Sequence, residues 1–260
     1  MQEAGMALFA VTRLAAYKHD PKARKTSQLA MGTGFFYRKG RERLFLVTNR
    51  HMVYDEDRHY FPDKLRLFVH SDKEHLSKTK NIDLKLWDKA GKRLWKHSRR
   101  YPVADVVALE VPVGAMEGCF FFTFSREDIL DKPNSLPGKD ISLGVQALVL
   151  GYPLDFYDRM NHFPMARMAS VATWPWFNFG RKPCFLIDAR LHHGMSGSPV
   201  VSSPGIIHKT GASRGKGISK TDREIYLLGI FSSEWNSYGE PLGLNTVWHA
   251  SLIEDIVGDA

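Results

Sequence analysis

The chain has 260 residues, of which 43% are hydrophobic and 25% are charged. This balance is typical of a globular protein and excludes a collagen, a disordered tail and a coiled coil. No run of about 18 apolar residues occurs, so the sequence predicts no membrane-spanning helix. The two cysteines, Cys119 and Cys184, are too few for a disulfide framework, and residues 1–20 lack the basic start of a secretory signal. These features predict a cytoplasmic protein without a membrane partner.

Positive charge is concentrated in the first half of the chain. Residues 13–100 contain 23 Lys and Arg against 10 Asp and Glu, a net charge of +13, while the remaining residues carry −5. A basic region of this kind fits a solvated surface, an acidic protein partner or nucleic acid. No DNA- or RNA-binding signature accompanies the charge. A solvated surface is therefore the simplest interpretation, and nucleic acid stays an open alternative.

Short apolar segments typical of β-strands follow one another along the chain. They are rich in Val, Ile, Leu, Phe and Trp, and Gly, Pro, Asp or Asn residues bound them. Leu84, Leu86 and Leu94 alternate about residues 88–91 and predict a hairpin. Many short strands separated by turns indicate an all-β sandwich or barrel. The predicted strands are MALFAVTRL, GTGFFYR, RLFLVTN, LRLFV, IDLKLWD, KRLWKH, VVALEV, VQALVLGY, KPCFLIDA, SPVVSS and EIYLLGIFSS.

Two segments depart from this strand pattern. Residues 113–140 have no clean period and end in a stretch rich in Pro and Gly, which is typical of a connector between two β units. Near the C-terminus, Val247, Leu252, Ile253 and Ile256 recur at nearly helical spacing and predict a short terminal helix.

Three separated fragments carry the residue types of a nucleophilic active site. His51 lies in TNRHMV, Asp105 in ADVVALEV and Ser196 in HHGMSGSPV. A serine becomes a nucleophile when an imidazole takes its proton and a carboxylate orients and steadies that imidazole. Gly194 and Gly197 beside the serine predict a tight turn with free N–H groups that can hold an oxyanion.

These fragments resemble those of the trypsin-like, chymotrypsin-fold serine peptidases, and most closely the bacterial high-temperature-requirement type. His, Asp and Ser come in that family's order, and residues 188–199, DARLHHGMSGSP, are similar to its D-A-x-x-x-x-G-N-S-G-G-P motif. The resemblance extends over about residues 5–257. It implies an all-β fold of two six-stranded antiparallel Greek-key β-barrels with a short C-terminal helix.

The resemblance also divides the chain into segments. This division leaves room for no large accessory domain, so the family's PDZ domains are not expected. The expected segments are an N-terminal barrel at residues 5–112 with His51 and Asp105, a connector at 113–137, a C-terminal barrel at 138–247 with Ser196, and a helix at 248–257.

Individual roles follow from the same resemblance. Ser196 is expected to be the nucleophile, His51 the general base and then the general acid, and Asp105 the group that orients His51. The backbone N–H groups of Gly194 and Ser196 are expected to form the oxyanion hole. Together these roles predict a serine endopeptidase that cleaves protein or peptide substrates through an acyl-enzyme intermediate.

Substrate recognition is expected close to these residues. Ser232, with Ser233 next to it, matches the family's strand that pairs with a bound peptide, and Ser232 is expected to support Asp105. Arg190 falls at the position of the family's pocket floor, where a guanidinium favours an acidic substrate side chain. Glu234 falls at the pocket wall and is as well placed to neutralise Arg190, so both interpretations stay open.

Several residues depart from the family pattern without removing a catalytic group. Met195 stands where bacterial relatives often have Asn, and Ser198 replaces a glycine. His192 and His193 are adjacent, so in an extended segment they point opposite ways. No Cys or Glu spacing completes a metal site around them, and we expect neither a metal nor a cofactor.

The leading interpretation is a bacterial intracellular endopeptidase, with stress or immune-system effectors among the forms that such a peptidase takes. No Arg-Ile-Val-Gly-Gly-like activation site precedes the first barrel, so a regulatory protein or activating complex is expected to control activity. The alternative is a weakly active or inactive binding module on the same scaffold, which docks a protein or nucleic-acid complex through its basic half.

Overall fold

The computed structural model describes residues 3–130, 141–203 and 225–258. In these ranges the chain forms thirteen β-strands and two α-helices, α1 (Glu3–Met6) and α2 (Ser251–Gly258). Short 3-10 helices lie at Ala7–Ala10, Arg50–Met52, Val113–Met116, Arg126–Asp128 and Pro153–Asp155. None of the helices in the described ranges has the length and apolar character needed to cross a membrane.

The first seven strands form one antiparallel sheet in the order β5-β4-β1-β2-β3-β7-β6. Its two edges approach each other, because the Leu94 N–H donates to the Leu86 carbonyl at 2.9 Å and Trp87 pairs with Arg93. The strands are β1 (Val11–Asp20), β2 (Lys25–Lys39), β3 (Arg43–Thr48), β4 (Lys64–His70), β5 (Thr79–Lys85), β6 (Trp95–His97) and β7 (Val107–Val111).

The predicted hairpin joins β5 to β6 at the seam between these two edges, and the sheet has seven strands where the resemblance implied six. The chain turns at residues 88–91, with Gly91 at φ +78°, and returns to pair across the seam. The predicted side-chain alternation is wrong on the returning arm. Leu94 is 46% exposed, whereas Trp95 enters the core.

The other six strands form a closed antiparallel barrel in the order β10-β13-β12-β11-β8-β9. The register between β12 and β13 shifts between Phe231 and Glu234, so Ser232 and Ser233 have no paired residue on β13. The strands are β8 (Gln146–Gly151), β9 (Met165–Val171), β10 (Cys184–Asp188), β11 (Pro199–Ser202), β12 (Leu227–Ser237) and β13 (Glu240–His249).

The core between the two β units explains why some strands are apolar without alternation. On β2, Phe36 packs into the core of the first unit, whereas Phe35 and Tyr37 face the core shared by the two units. Ile230 of β12 enters that shared core from the other side. Each large apolar side chain buried in this way contributes about 1.5–3 kcal/mol.

Helix α2 packs on the shared core. Leu252, Ile253, Ile256 and Val257 are buried on one face. The sequence predicted the first three of these together with Val247, which lies in β13 before the helix. On the other face, the Ser98 hydroxyl donates to Asp255 and the Tyr37 hydroxyl donates to Glu254. The helix therefore ties the end of the chain to the first unit.

The predicted all-β, chymotrypsin-like class is confirmed: one closed six-stranded barrel, a second antiparallel sheet and a short C-terminal helix. The predicted segment boundaries stay predictions, because residues 131–140 lie outside the described residues. These residues include the expected end of the connector and the expected start of the second barrel. Within the described residues, β7 ends at Val111, β8 begins at Gln146, and α2 begins at Ser251.

Candidate active site

His51 and Asp105 meet because their segments extend from neighbouring strands. His51 lies in the 3-10 turn after β3, and Asp105 lies just before β7, which pairs with β3. Asn49 is fully buried, and its side-chain amide donates to the Asp105 carbonyl at 2.7 Å. This bond holds the two loops together at the end of the sheet.

Two hydrogen bonds join the Asp105 carboxylate to His51. The backbone N–H of His51 donates to Oδ1 at 3.0 Å, and the ring Nδ1 lies 2.7 Å from Oδ2. A third bond comes from the second barrel, where the Ser232 hydroxyl donates to Oδ2 at 2.6 Å. The carboxylate is therefore held from both β units, and its position fixes the plane of the imidazole.

Opposing effects set the pKa values of this pair. Burial alone lowers the pKa of His51, but the hydrogen bond and charge of Asp105 outweigh it, so the pKa lies above its usual 6.5. Burial alone raises the pKa of Asp105, but hydrogen bonds from His51 and Ser232, together with the charge of His51, bring it below its usual 3.8. Asp105 is thus a carboxylate that keeps the proton on Nδ1, which leaves the Nε2 lone pair of neutral His51 free to act as a base.

Ser196 shares one open cleft of about 650 Å³ with His51 and Asp105. Its hydroxyl donates to the Ser232 carbonyl at 3.2 Å. Among the described residues, no hydrogen bond joins Ser196 to His51. The hydroxyl must therefore leave the Ser232 carbonyl before it can donate to Nε2 of His51.

The turn that carries Ser196 requires glycine on both sides. Gly194 has φ +91°, and a Cβ there would lie 2.5 Å from the Tyr152 carbonyl oxygen. Gly197 has φ +86°, and a Cβ there would lie 2.2 Å from the carbonyl oxygen of Thr33. The N–H groups of Gly194 and Ser196 donate to no group among the described residues, so both can hold a developing oxyanion.

The two departures from the family pattern fit into the second barrel. Met195 is completely buried in its core. Ser198 is also buried, and its hydroxyl occupies the space beside Gly151, where a Cβ would lie only 2.1 Å away. Gly151 therefore makes room for the serine that replaces the family's glycine.

Arg190 is not brought into the cleft. Ile187 and Ala189 are buried while Asp188 and Arg190 are exposed, so the alternation of an extended chain turns the guanidinium outward. Glu234 does line the cleft, and its Oε1 accepts from the Gly243 N–H at 3.1 Å. Among the described residues these two side chains form no ion pair, so the structure shows neither of the two pocket arrangements expected from the sequence.

Asn245 is a cleft residue that the sequence did not suggest. It lines the cleft, is 1% exposed, and its amide donates to the carbonyls of Ala189 at 2.6 Å and Gly243 at 2.9 Å. A buried amide inside an apolar strand, LGLNTVWH, was the available signal. Ser233 also lines the cleft.

The adjacent histidines line the cleft near Ser196 without forming a metal site. His192 is half-buried and His193 is exposed. Within the described parts of the chain, no group of three or more His, Cys, Asp or Glu side chains is placed to hold a metal ion.

Residues 32–206, about two thirds of the chain, match the model of the trypsin-like peptidase domain. The matched segment contains His51, Asp105 and Ser196. No curated protein matches the chain.

Proposed function

Because the chain belongs to the trypsin-like peptidase domain family, we propose that it is a serine endopeptidase that hydrolyses peptide bonds of protein substrates. The observation that carries this proposal is the Asp105 carboxylate, which accepts hydrogen bonds from both His51 nitrogens that face it and from Ser232. Ser196 lies in the same cleft, and the backbone N–H groups of Gly194 and Ser196 donate to no group among the described residues. A purely structural cluster has no need of the free N–H groups.

The first half of the reaction is acylation. The Ser196 hydroxyl rotates from the Ser232 carbonyl to His51, and Oγ attacks the substrate carbonyl carbon while its proton passes to Nε2. The carbonyl oxygen becomes an oxyanion and accepts from the N–H groups of Gly194 and Ser196. Imidazolium His51, steadied by Asp105, then protonates the leaving amine, the C–N bond breaks, and an acyl-enzyme remains.

The second half repeats these steps with water. His51 takes a proton from a water molecule, whose oxygen attacks the acyl carbon, and the same two N–H groups hold the oxyanion. The C–O bond to Ser196 then breaks, and His51 returns the proton to Oγ. The product acid leaves, and the enzyme is restored.

Strand addition is the mode in which we propose that the substrate binds. The register shift on β12 leaves Ser232 and Ser233 without partners on β13. An extended peptide can therefore lie beside this segment and use its backbone groups. This placement brings the peptide bond past Ser196, which lies 3.2 Å from the Ser232 carbonyl.

The setting of the enzyme is also part of the proposal. Cys119 and Cys184 are both free thiols, which supports a reducing, cytoplasmic location. The similarity of DARLHHGMSGSP to bacterial high-temperature-requirement peptidases supports a bacterial, partner-controlled enzyme. Control by a partner is consistent with the resting position of the Ser196 hydroxyl on Ser232.

A basic groove beside β6 supports nucleic acid as that partner. Lys92, Arg93 and Arg99 line a groove of about 500 Å³, and Lys92 and Arg99 form no ion pair among the described residues. Burial and the charges of Arg93, Arg50 and Arg99 lower the pKa of His97 in this groove. A labelled single-stranded DNA should bind with an affinity that falls steeply as salt rises. Nucleic acid as the partner would be contradicted if no binding is detected. It would also be contradicted if the affinity does not change with salt or in Arg99→Glu.

Proteomic cleavage-site mapping tests the peptidase function. A cell extract is incubated with the wild type, with Ser196→Ala and with Ser71→Ala, in which an exposed serine of the first unit is changed. New peptide termini that appear with the wild type and Ser71→Ala, but not with Ser196→Ala, support the proposal. The same termini in all three digests would contradict it. So would the absence of new termini in every digest, including digests to which the single-stranded DNA of the binding test is added.

A further inference from the structure

The oxyanion hole depends on the orientation of one peptide group. The His193 carbonyl accepts from the Leu154 N–H at 2.6 Å. The C=O and N–H of a trans peptide point in opposite directions, so this bond directs the Gly194 N–H into the cleft. Gly194 lacks a Cβ and has access to other conformations, and contacts from outside the turn are needed to hold the peptide in this one.

The segment that supplies the Leu154 N–H is strained and exposed. Leu154 has φ +50° and Asp155 has φ +58°, which are conformations that residues with a side chain rarely adopt. Leu154 is 66% exposed, so packing of its side chain does not hold the turn. Strain of this kind persists only where the surroundings impose it, and the turn must therefore be held by another contact.

Arg13 makes that contact from the first β unit. Its Nη1 lies 2.8 Å from Oδ1 and 3.1 Å from Oδ2 of Asp155. The guanidinium lies over the rings of Phe68 at 3.9 Å and Tyr157 at 4.8 Å, and the Arg13 side chain is only 16% exposed. Because its position is restricted and partly desolvated, this ion pair is stronger than an ordinary surface pair.

Thr33 holds the other side of Gly194 from the neighbouring strand. It pairs directly with Arg13 across β1 and β2. Its hydroxyl donates to the Gly194 carbonyl at 2.8 Å and accepts from the Tyr152 N–H at 3.1 Å. The paired positions 13 and 33 thus reach both peptide groups that flank Gly194, one through Asp155 and one directly.

We propose that Arg13 is a positioning residue for the oxyanion hole. It clamps Asp155, which keeps Leu154 on the His193 carbonyl and so keeps the Gly194 N–H aimed at the substrate. Arg13 touches no reacting atom, and its effect passes through the strained turn. The inference rests on the proposed peptidase function and adds to it a device that couples the arrangement of the two β units to catalysis.

The rate of phosphonylation of Ser196 by a fluorophosphonate tests this inference without a known substrate. In that reaction Oγ attacks phosphorus, fluoride leaves, the serine proton passes to His51, and the phosphoryl oxygen occupies the oxyanion hole. The test variants are Arg13→Gln and Asp155→Asn. The matched control is Arg43→Gln, which removes the Arg43–Glu110 bidentate ion pair on the outside of the first unit.

We expect the second-order rate constant to fall about 10-fold in either variant, less than the 10²–10³-fold cost of deleting an oxyanion donor. The pH midpoint of the rate should stay unchanged, since Arg13 does not contact the His51–Asp105 pair. Arg13→Lys should recover part of the rate, because Lys keeps the charge on Asp155. The double variant should be no slower than either single variant, since both break the same clamp.

Three results would overturn the inference. One is a rate constant of Arg13→Gln or Asp155→Asn that equals that of Arg43→Gln, after correction for the folded fraction measured by circular dichroism. Another is a double variant whose loss is the product of the two single losses. The last is a wild type that neither reacts with the probe nor cleaves peptides, which would also remove the proposed function. A reactive wild type with unaffected Arg13 variants would remove this inference alone.

Discussion

The two halves of the active site are held in different ways. On the base side, side chains do the work: Asp105 accepts bonds from His51 and Ser232, and Asn49 ties the Asp105 carbonyl to the loop of His51. Each of these contacts requires a particular side-chain group: a carboxylate, an imidazole, a hydroxyl or a primary amide. A sequence motif therefore marks this half clearly.

On the nucleophile side, backbone groups do most of the work. The Ser196 carbonyl accepts from the Thr33 N–H at 3.0 Å, and the Gly197 N–H donates to the Phe231 carbonyl at 3.0 Å. The Leu154 N–H holds the His193 carbonyl on the other side of the turn. Apart from the two glycines that the turn requires, almost any residue type can supply such groups, so this half depends on how the two β units pack together. The base half is therefore specified mainly by side-chain chemistry, and the nucleophile half mainly by tertiary structure.

The largest effect is expected where the two halves act together. Ser196→Ala removes the nucleophile and His51→Ala removes the base, and each should lower turnover by about 10⁴–10⁶. Because the residues act as a unit, the double variant should be no slower than either single variant. Steady-state cleavage of a mapped substrate measures all three. Losses that multiply would show that Ser196 and His51 act independently, contrary to the proposed triad.

An intermediate effect is expected from the nucleophile half alone. Thr33→Val keeps the shape of the side chain but removes the hydroxyl that bonds the Gly194 carbonyl and the Tyr152 N–H. The variant should be destabilised by about 1–3 kcal/mol, because a buried donor and acceptor lose their partner. Turnover should fall roughly 10–10²-fold, in line with partial loss of the oxyanion hole.

Thr26→Val is the control for that variant, since Thr26 is an exposed threonine at the far end of the same strand. Chemical denaturation and turnover of the folded fraction separate the two effects. A Thr33→Val enzyme that is destabilised but fully active would contradict the role of this residue in the nucleophile half.

The smallest effect is expected from the outermost bond of the base half. Ser232→Ala removes one of the three hydrogen bonds that the Asp105 carboxylate accepts from His51 and Ser232, and kcat/KM should fall about 10-fold. The loss of that bond should raise the pKa of Asp105 toward its usual value, since Ser232 is one of the groups that lower it. Turnover as a function of pH measures both consequences.

The direction in which kcat/KM changes with pH follows from the role of His51 as a base. His51 acts as a base only when neutral, so kcat/KM should rise with pH through the pKa of His51 in the free enzyme. Because Asp105 raises that pKa, the midpoint should lie above 6.5. A midpoint below 6.5 in the wild type would show that burial, rather than the carboxylate, dominates the environment of His51.

Much of the fold follows from the sequence because local patterns determine it. Short apolar segments predicted most of the strands, the turn at residues 88–91 predicted the hairpin, and the spacing of apolar residues predicted α2. The strand β9 lies in none of the predicted segments, and residues 6–10 of the first predicted strand are helical. The alternation failed at Leu94, because the arm that crosses the seam buries Trp95 instead. Pattern alone cannot show which face of such an arm meets the core, because that depends on how the sheet edges meet.

The site was predictable to the extent that side-chain chemistry marks it. His51, Asp105 and Ser196 were identified from their motifs, and the structure places them around one cleft. The expected pocket residue Arg190 faces outward, because strand alternation overrides its spacing from Ser196.

The supports of the nucleophile half were not predictable. Arg13 and Asp155 lie 142 residues apart and meet only through the packing of the two β units. No residue type is required of Leu154, whose contribution is a backbone N–H. The motifs therefore identify the reacting groups but not the contacts that position them.

Covalent labelling by a fluorophosphonate, followed by intact-mass measurement and peptide mapping, tests most directly whether Ser196 is a nucleophile activated by His51. We expect one adduct per folded chain, located on Ser196, and its loss in Ser196→Ala, in His51→Ala and after denaturation. Labelling of Ser196→Ala equal to that of the wild type, or an adduct on another residue, would contradict it.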